Sequence, residues 1–386
     1  MSNKLNLYLH LPFCVRKCPY CNFYSQCGIE SLLPEYFQML KKEIKQKQLI
    51  LKNREIVTIY LGGGTPSIVD PQLLVDLLQM IRSECQINKN AEISIEVNPE
   101  SINAIKLQLY RKAGINRISL GVQALDAKTL KFLGRSYSPE QVIEAVKMIQ
   151  EAGFENFGLD LIYSLPGQTL QLWKDTLRQA IELKSQHLSC YSLELAGNTA
   201  FVKAVNAGEL KPVSAGLDSR MYKFTRNFLL SKGWQQDEIS NYSRPGFVCK
   251  HNADFWHYQD YLGLGAGAHS FIQGKRFSNL ENINQYLTGK DFQSKPVKIS
   301  IKKQMQEYLI LGLRTSKGIS GNDFNNKFKK NLFLLFAIEI KRLKDVKLLK
   351  LTGKNLLPTV KGMYYWNEVA REMVLGGDAD LHPVQS

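Results

Sequence analysis

Three cysteines near the start of this 386-residue chain have the types and spacing that point most directly to chemistry. Cys14, Cys18 and Cys21 form a CxxxCxxC run directly after a segment that alternates apolar and polar residues. Three thiolates can hold an iron–sulfur cubane by three corners and leave the fourth iron open. The alternative is a zinc ion with Cys27 or His10 as fourth ligand, but structural zinc motifs usually show two cysteine pairs or a cysteine pair with a histidine pair. The spacing therefore favours an iron–sulfur cluster.

Other side chains able to hold a ligand lie at or near the ends of predicted strands. The turn Gly62-Gly63-Gly64-Thr65-Pro66 ends the second of these strands, where glycines let backbone groups approach a ligand closely. The third, fourth and fifth predicted strands end near Glu96, Gln123 and Asp160. Arg135 lies in the segment LGRSY, which follows the fourth strand. Taken singly, each is more typical of a polar surface residue or an ion pair.

Six apolar strands alternate with helical segments over the first 200 residues. The apolar patterning predicts strands at 5–11, 56–61, 93–97, 118–122, 157–162 and 187–193. Helices are predicted at 34–48, from 71 to 81, and at 105–113, 126–133, 139–152 and 170–183. This alternation predicts an α/β fold of parallel strands, arranged as an open sheet or as a full or partial barrel. In both, the active site lies at the C-terminal ends of the strands.

The pattern changes after about residue 200. A long helix is predicted at 215–230, followed by a stretch rich in loops and aromatic residues, and Lys295-Pro296 indicates a boundary. Beyond it we expect a small, mostly helical, winged-helix-like domain, with its longest helix at 332–347 and a short strand at 348–351. The predicted domains are 1–236, a connecting segment 237–295, and a basic C-terminal domain 296–386.

The formal charge of +15 is concentrated at the C-terminus. Residues 290–386 hold 18 Lys+Arg against 9 Asp+Glu, a net of +9, which leaves 32 against 26, or +6, for the rest. A solvated, lysine-rich surface explains this most simply; an anionic membrane or nucleic acid is the sharper alternative. No apolar run approaches the ~18 residues of a membrane span, and no signal peptide is evident, so we expect a cytoplasmic protein with reduced cysteines.

The cysteine loop after the first strand resembles the signature of the radical S-adenosylmethionine (SAM) superfamily. The resemblance implies a partial (β/α)6 barrel and a 4Fe-4S cluster whose open iron is chelated by the amino and carboxylate groups of SAM. It also implies that the reduced cluster passes one electron to the sulfonium, which generates a 5′-deoxyadenosyl radical.

Within that superfamily the chain resembles the oxygen-independent coproporphyrinogen III oxidase-like family. The shared segments run along essentially the whole chain and include LYLHLPFCVRKCPYC, YLGGGTPS, IEVNPE, RISLGVQ, LGRSY, DLIYSLPGQT, EISNYSRPG, KHNADFW, YLGLGAGAHS, LGLRTSKGIS and NLLPTVKG. The resemblance implies that Cys14, Cys18 and Cys21 bind the cluster. It implies a SAM pocket formed by Tyr8, Tyr20, Gly63, Gly64, Thr65, Glu96, Gln123, Arg135 and Asp160.

The family has an oxidase branch, which decarboxylates two porphyrinogen propionates, and a heme chaperone branch, which binds heme and hands it to heme enzymes, notably of the respiratory chain. Phe23 stands where oxidases carry a fourth cysteine, and Cys14 leaves no room for the oxidases' leading segment. The chaperone motif HNxxYW corresponds to His251–Trp256, with Phe255 in place of tyrosine. These three features favour a heme chaperone over the alternative, a coproporphyrinogen III oxidase.

The chaperone resemblance implies that His251 is the axial heme ligand, since a neutral imidazole is a common partner of heme iron. Phe255 and Trp256 would stack on the macrocycle. The neighbouring alternatives for the ligand are His257, Cys249 and His269. An iron–sulfur scaffold without radical chemistry is a third interpretation, and enzymatic activity stays open. Expected partners are heme, heme-accepting respiratory enzymes, an anionic membrane surface and, with the cluster loaded, a second copy of the chain; nucleic acid is not expected.

Overall fold

Six parallel strands form the centre of the fold. The computed structural model describes residues 3–290 and 292–375. Its central strands are β1 (Lys4–Leu11), β2 (Glu55–Gly63), β3 (Gln86–Val97), β4 (Arg117–Gln123), β5 (Phe157–Tyr163) and β6 (His187–Ser192). They pair in parallel in the order of the chain. All six strands predicted from the sequence are confirmed, and β3 begins several residues earlier than predicted.

The helices between these strands lie along one side of the sheet. They are α1 (Leu33–Gln46), α2 (Gln48–Lys52), α3 (Pro71–Glu84), α4 (Ala104–Lys112), α5 (Ala127–Phe132), α6 (Pro139–Glu151) and α7 (Leu170–Glu182), and single 3-10 turns occur at Glu30–Leu32, Pro66–Ile68 and Pro99–Ser101. Each strand adds to the same edge of the sheet through a right-handed crossover, which places successive helices on the same face. Accordingly α1 contacts α3, α3 contacts α4, and α4 contacts α6. This order is that of a barrel wall, not of a doubly wound sheet.

The opposite face of the sheet is buried and polar. Leu5 and Leu7 of β1 are fully buried on the helix side, as the alternation predicted. Asn6 and His10, which point the other way, are only 3% and 6% exposed. In register with Asn6 lies Thr58 of β2, which in turn lies beside Glu92 of β3. The barrel interior is therefore lined by polar side chains that water does not reach freely, and each needs a partner.

Further helices and short strands follow β6, and the strands extend both edges of the sheet. They are α8 (Ala200–Asn206), α9 (Ala215–Ser231), β7 (Gln235–Gln236), β8 (Asn241–Ser243), α10 (Lys250–Trp256), β9 (Tyr261–Leu264), β10 (His269–Ile272), β11 (Lys275–Ser278), α11 (Ile283–Leu287) and β12 (Val297–Lys298). Strand β8 pairs antiparallel with β6, and β9 pairs in parallel with β1. The helix predicted at 215–230 is confirmed as α9. The sequence predicted a stretch of loops where β8 to β11 lie, because strands of three or four residues in glycine-rich segments give no periodic signal.

The C-terminal segment is a helical unit with a three-stranded sheet. Its elements are α12 (Ile301–Arg314), β13 (Ile319–Ser320), α13 (Gly321–Phe328), α14 (Leu332–Leu335), α15 (Ala337–Asp345), β14 (Leu349–Thr352), β15 (Asn355–Pro358), α16 (Val360–Tyr364) and α17 (Trp366–Leu375). The single helix predicted over 332–347 is wrong, since Phe336 leaves helical geometry at φ −114° and ψ 30°. Leu332, Phe336, Ile340 and Leu343 all enter one core, so their helical spacing concealed the break.

The described chain divides into two compact units. One comprises 3–235, Ser240–His251 and Asp260–Val297; the other comprises Gln236–Ile239, Asn252–Gln259 and 298–375. The three-part division predicted from the sequence stays a prediction. Within 3–290 and 292–375, every helix is too short or too polar to cross a lipid bilayer.

Candidate functional site

The three cysteines lie in a loop that leaves the C-terminal end of β1. Two backbone hydrogen bonds close its base: Cys14 N donates to Gln26 O at 2.9 Å, and Gln26 N donates to Pro12 O at 2.7 Å. Inside it, Cys21 N donates to Cys18 O at 3.1 Å, which bends the chain between these two cysteines. All three thiols are partly buried, so the loop presents them together without enclosing them.

The surroundings of this loop do not supply the residues that a zinc site would need. Among the described residues, no three His, Cys, Asp or Glu side chains converge on a point where one ion would sit. Both ring nitrogens of His10 are engaged, with Tyr8 Oη and with Tyr24 O, and Cys27 is exposed. In a cubane each cysteine binds a different iron, so its ligands do not converge on one point.

The glycine turn after β2 packs directly against the cysteine loop. Gly64 N donates to Leu11 O at 2.9 Å, and Thr65 N donates to Phe13 O at 2.8 Å. A Cβ on Gly64 would lie 2.5 Å from Phe13 O, so only glycine permits this approach. The turn also brings Thr65 Oγ1 to 3.6 Å from the thiol of Cys14.

We expect Gly64→Ala to destabilise the protein by about 1–3 kcal/mol, because its methyl group would collide with backbone atoms that cannot move aside. Gly216→Ala in α9 is the matched control, because no described atom outside its neighbouring residues and the adjacent helix backbone lies within 4 Å of its added Cβ. That variant should be neutral or more stable by up to about 1 kcal/mol. Urea unfolding measures the free energy of unfolding of both variants. Equal stability of Gly64→Ala and Gly216→Ala would contradict the close packing of the glycine turn against the cysteine loop.

Glu96 lies at the end of β3 beside the glycine turn. Its Oε1 accepts a hydrogen bond from Tyr60 Oη at 2.9 Å, and its Oε2 accepts one from Gly63 N at 3.2 Å. Burial raises the pKa of Glu96 to about 7, and the charge of Asp160 adds to this rise. Burial therefore makes this carboxylate costly to ionise, and a ligand that donates hydrogen bonds to it would restore its preference for the charged form.

Tyr8 and His10 form a neighbouring pair on β1. His10 Nε2 lies 3.0 Å from the carbonyl oxygen of Tyr24, which can only accept, so the proton is on Nε2. The hydroxyl of Tyr8 therefore donates to Nδ1 of His10 at 2.9 Å. Burial lowers the pKa of His10 to about 4, so its ring is neutral. The Tyr8 ring stacks on Tyr60 at 6.2 Å, which joins this pair to Glu96.

Arg135 and Tyr20 form a second group next to the cysteine loop. Nη2 of Arg135 donates to the Tyr20 hydroxyl, and the guanidinium lies 5.7 Å and 5.9 Å from the rings of Tyr20 and Tyr137. Nε of Arg135 is buried, and no described residue accepts a hydrogen bond from it. A buried guanidinium N–H with no acceptor is costly, and a carboxylate or hydroxyl of a bound molecule would satisfy it.

Gln123 and Asp160 complete the predicted set. Gln123 ends β4 in the left-handed region at φ 62°, at a register irregularity between β4 and β5. Such a conformation is strained for a residue with a side chain and is concentrated at functional sites. Asp160 of β5 accepts a hydrogen bond from Ser119 Oγ at 2.9 Å, and burial raises its pKa.

His251 lies inside the first unit, against β1 and β2. Its Nδ1 is 2.7 Å from Thr58 Oγ1, and its ring stacks on Tyr60 with centroids 5.0 Å apart. Its backbone N–H donates to Glu92 Oε1 at 3.2 Å. His251 thus shares Tyr60 with the predicted SAM pocket.

The aromatic part of the same motif belongs to the second unit, which begins again at Asn252. The ring of Trp256 lies 4.6 Å from the guanidinium of Arg314, and its buried Nε1 has no hydrogen-bond partner in the part of the chain that the structure describes. Arg314 in turn pairs with Glu238 at 2.7 Å. The prediction that Phe255 and Trp256 stack on a macrocycle stays a prediction.

Sequence reasoning missed several residues that the structure brings into this site: Thr58, Tyr60, Asn98 and Tyr137. Two of them were recognisable in principle, since Thr58 and Tyr60 alternate along β2 on the same face as Gly62. Asn98 donates to Thr65 Oγ1 at 3.4 Å and falls in the quoted segment IEVNPE. Its partner Thr65 is distant in sequence, so the contact left no local pattern.

The site combines three partly buried thiols, a glycine turn with close backbone approach, a buried carboxylate, and an arginine whose Nε finds no acceptor among the described residues. Residues 8–180 match the radical SAM superfamily, and residues 299–365 match the HemN C-terminal domain. Heme chaperone HemW of Lactococcus lactis subsp. lactis (strain IL1403) is 34% identical over 95% of this chain and 97% of its own length. This chain belongs to the HemW family.

Further comparisons agree with membership of the HemW family. Heme chaperone HemW of Escherichia coli (strain K12) is 39% identical over 69% of this chain and 70% of its own length. A solved structure described as coproporphyrinogen III oxidase (HemN) from Escherichia coli, a radical SAM enzyme, superposes with a TM-score of 0.84. It covers 96% of this chain and 90% of that chain at 24% identity, which establishes the shared fold only.

Proposed function

We propose that this chain is a heme chaperone, which binds heme and transfers it to heme-dependent respiratory proteins. The observation that carries the proposal is the similarity to proteins named heme chaperone HemW, at 32–39% identity over most of the chain. This similarity extends through both units. It includes the segment with His251, whose HNxxYW motif distinguishes the chaperone branch of the family from the oxidase branch.

The proposal includes a 4Fe-4S cluster held by Cys14, Cys18 and Cys21. The chemistry of three thiolates in one loop supports it, as does the glycine turn that fixes this loop. When bound, such a cluster supplies one-electron chemistry and an open iron for SAM. Turnover of SAM is not part of the proposal, since a transfer protein can use a bound cofactor as a switch.

We propose that SAM lies between the glycine turn and the Arg135–Tyr20 pair. Glu96 would accept hydrogen bonds from the ribose hydroxyls, Arg135 would donate its unsatisfied Nε–H, and the turn would bind the amino group. The remaining pocket residues of the proposal are Tyr8, Tyr20, Gly63, Gly64, Thr65, Gln123 and Asp160.

SAM affinity should rise between pH 6 and pH 8. With a pKa of about 7, Glu96 is mostly protonated at pH 6 and mostly ionised at pH 8, and only the carboxylate accepts from both ribose hydroxyls. We expect binding about tenfold weaker at the lower pH, measured by calorimetry on the reconstituted protein. The SAM affinity of Glu96→Gln should not change with pH in this way. Any effect of the titration of SAM itself is the same for the parent and the variant, so the difference between them reports on Glu96. Equal pH dependence in the two would contradict the role of Glu96.

His251 is the proposed axial ligand of heme iron. Phe255 replaces the tyrosine of the family motif, which removes a hydroxyl but leaves the histidine in place. The alternative function, coproporphyrinogen III oxidase, is disfavoured by Phe23, which stands at the fourth cysteine of the oxidase motif and is 59% exposed.

One preparation tests the two functions together. The protein is reconstituted anaerobically with iron and sulfide, titrated with hemin, and then given coproporphyrinogen III and SAM under reducing conditions. The chaperone proposal expects saturable hemin binding and no protoporphyrinogen IX. Formation of protoporphyrinogen would instead establish the oxidase, and failure to bind hemin would reject the chaperone.

We also propose a cytoplasmic location, a peripheral contact with anionic membrane, and a homodimer that depends on the cluster. The net charge of +9 over residues 290–386 supports the membrane contact, since each well-placed Lys or Arg contributes about 1 kcal/mol near anionic lipid. Equal binding to neutral and anionic liposomes at low salt would reject the contact. A reconstituted protein that stays monomeric on gel filtration would reject the dimer.

A further inference from the structure

We propose that Thr58 and Asn6 are positioning residues that hold His251 in the one neutral tautomer whose Nε2 is free to bind iron. The inference rests on the proposed heme function, which it deepens by assigning the residues that prepare the ligand. It is carried by a chain of hydrogen bonds that crosses from β2 to β1 inside the barrel.

The chain of hydrogen bonds is anchored at Asn6. Nδ2 of Asn6 lies 3.2 Å from the backbone carbonyl oxygen of Asp260, which accepts only, so this atom of the amide is the nitrogen. The other amide atom, Oδ1, therefore faces Thr58 Oγ1 at 2.7 Å. Because a carbonyl oxygen cannot donate, the single hydroxyl proton of Thr58 is directed to Asn6.

The direction of that bond fixes the proton on His251. Thr58 Oγ1 has already donated its proton, so it can only accept from His251 Nδ1, which lies 2.7 Å away. A neutral imidazole carries one N–H, and placing it on Nδ1 leaves Nε2 with a bare lone pair. Among the described residues, Nε2 of His251 forms no hydrogen bond, so this lone pair is not consumed within the protein.

Burial makes the hydrogen-bond chain a firm constraint. Thr58 is 1% exposed and Asn6 is 3% exposed, so water cannot replace a missing partner. The ring plane is also held, because His251 stacks on Tyr60. The main chain is fixed by Glu92, whose carboxylate accepts from the backbone N–H groups of Lys250 and His251 at 3.0 Å and 3.2 Å.

Two other histidines of the barrel wall show what is particular to His251. His10 uses both ring nitrogens in hydrogen bonds. His187 of β6 is buried, and neither of its ring nitrogens has a partner among the described residues. His251 has one nitrogen anchored and the other open. A hydrogen bond from the non-coordinating N–H is the arrangement by which proteins orient metal-binding histidines and raise their basicity.

Thr58→Val tests the proposal, since it removes the hydroxyl while keeping the shape, and Thr58→Ser is the matched control that restores it. In the heme-free protein, ¹⁵N NMR of the His251 imidazole should show protonated Nδ1 in the parent and in Thr58→Ser, and a mixture of tautomers in Thr58→Val. Hemin affinity of Thr58→Val should fall by about 10–100-fold, with Thr58→Ser near the parent. The midpoint potential of heme bound to Thr58→Val should rise, because its axial ligand is less basic.

The outcomes distinguish failure of the positioning role of Thr58 from failure of the proposed heme function. If Thr58→Val keeps both the parent tautomer and the parent hemin affinity, the positioning role is overturned even though heme binding stands. If the parent fails to bind hemin while its NMR spectrum shows protonated Nδ1, the heme function fails and the tautomer assignment survives. An unchanged unfolding temperature of Thr58→Val would show that its loss of hemin affinity arises at His251. Unfolding of that variant under assay conditions would show that Thr58 is needed for the fold, and would overturn a role confined to positioning His251.

Discussion

Cys18→Ser should bind almost no iron after anaerobic reconstitution and should lack the visible absorbance of an iron–sulfur cluster. A cluster held by three thiolates loses one of its three protein bonds in this variant, and the short loop offers no replacement. Cys27→Ser is the matched control, because that thiol is exposed and lies outside the CxxxCxxC run. It should load iron and sulfide like the parent protein.

Iron and sulfide per chain, measured chemically, decide this prediction. Full loading of Cys18→Ser would remove the cysteine loop from the cluster site. Loss of iron in Cys27→Ser would show instead that a fourth thiol of this chain contributes, which would close the iron that the proposal leaves open for SAM.

His251→Ala should weaken hemin binding by about tenfold or more, equivalent to about 1.4 kcal/mol or more of binding free energy. The variant deletes the imidazole whose Nε2 has no hydrogen-bond partner among residues 3–290 and 292–375, and it leaves Thr58 able to donate to Asn6 as before. Its heme spectrum should show loss of the histidine ligand.

His257→Ala is the control for that experiment, since His257 lies six residues along the chain and is exposed. It should bind hemin like the parent. A His251→Ala protein with parental spectrum and affinity would reject His251 as ligand, and a loss confined to His257→Ala would move the assignment there.

The sequence predicted the framework of this site because its signals are local. Leucines at alternate positions of β1 marked a buried strand, and the cysteines marked the loop that follows it. The glycines at the end of the second strand predicted a close approach between backbone segments. The structure shows this approach, because a Cβ on Gly64 would lie only 2.5 Å from Phe13 O. Patterns within a few residues thus predicted the strands, the loops that follow them and the position of the three cysteines.

Local sequence patterns could not predict the contacts that surround His251. Thr58 and His251 are 193 positions apart, and Asn6 and Asp260 are 254 apart, so their pairing depends on the register of the sheet. Register is set by the packing of whole strands, which no short segment specifies. The same reason explains why β8 to β11 were missed, since each is stabilised by a neighbouring strand and not by its own composition.

Kinetics of heme transfer test the chaperone function most directly. The hemin-loaded protein is mixed with increasing concentrations of an apo-form respiratory heme enzyme, and with a heme-scavenging apoglobin as control, while heme absorbance is followed. Handover by direct contact predicts a transfer rate that rises with the concentration of the respiratory acceptor and exceeds the rate to the apoglobin. One rate for both acceptors, independent of their concentration, would mean that heme simply dissociates, and would contradict the chaperone function.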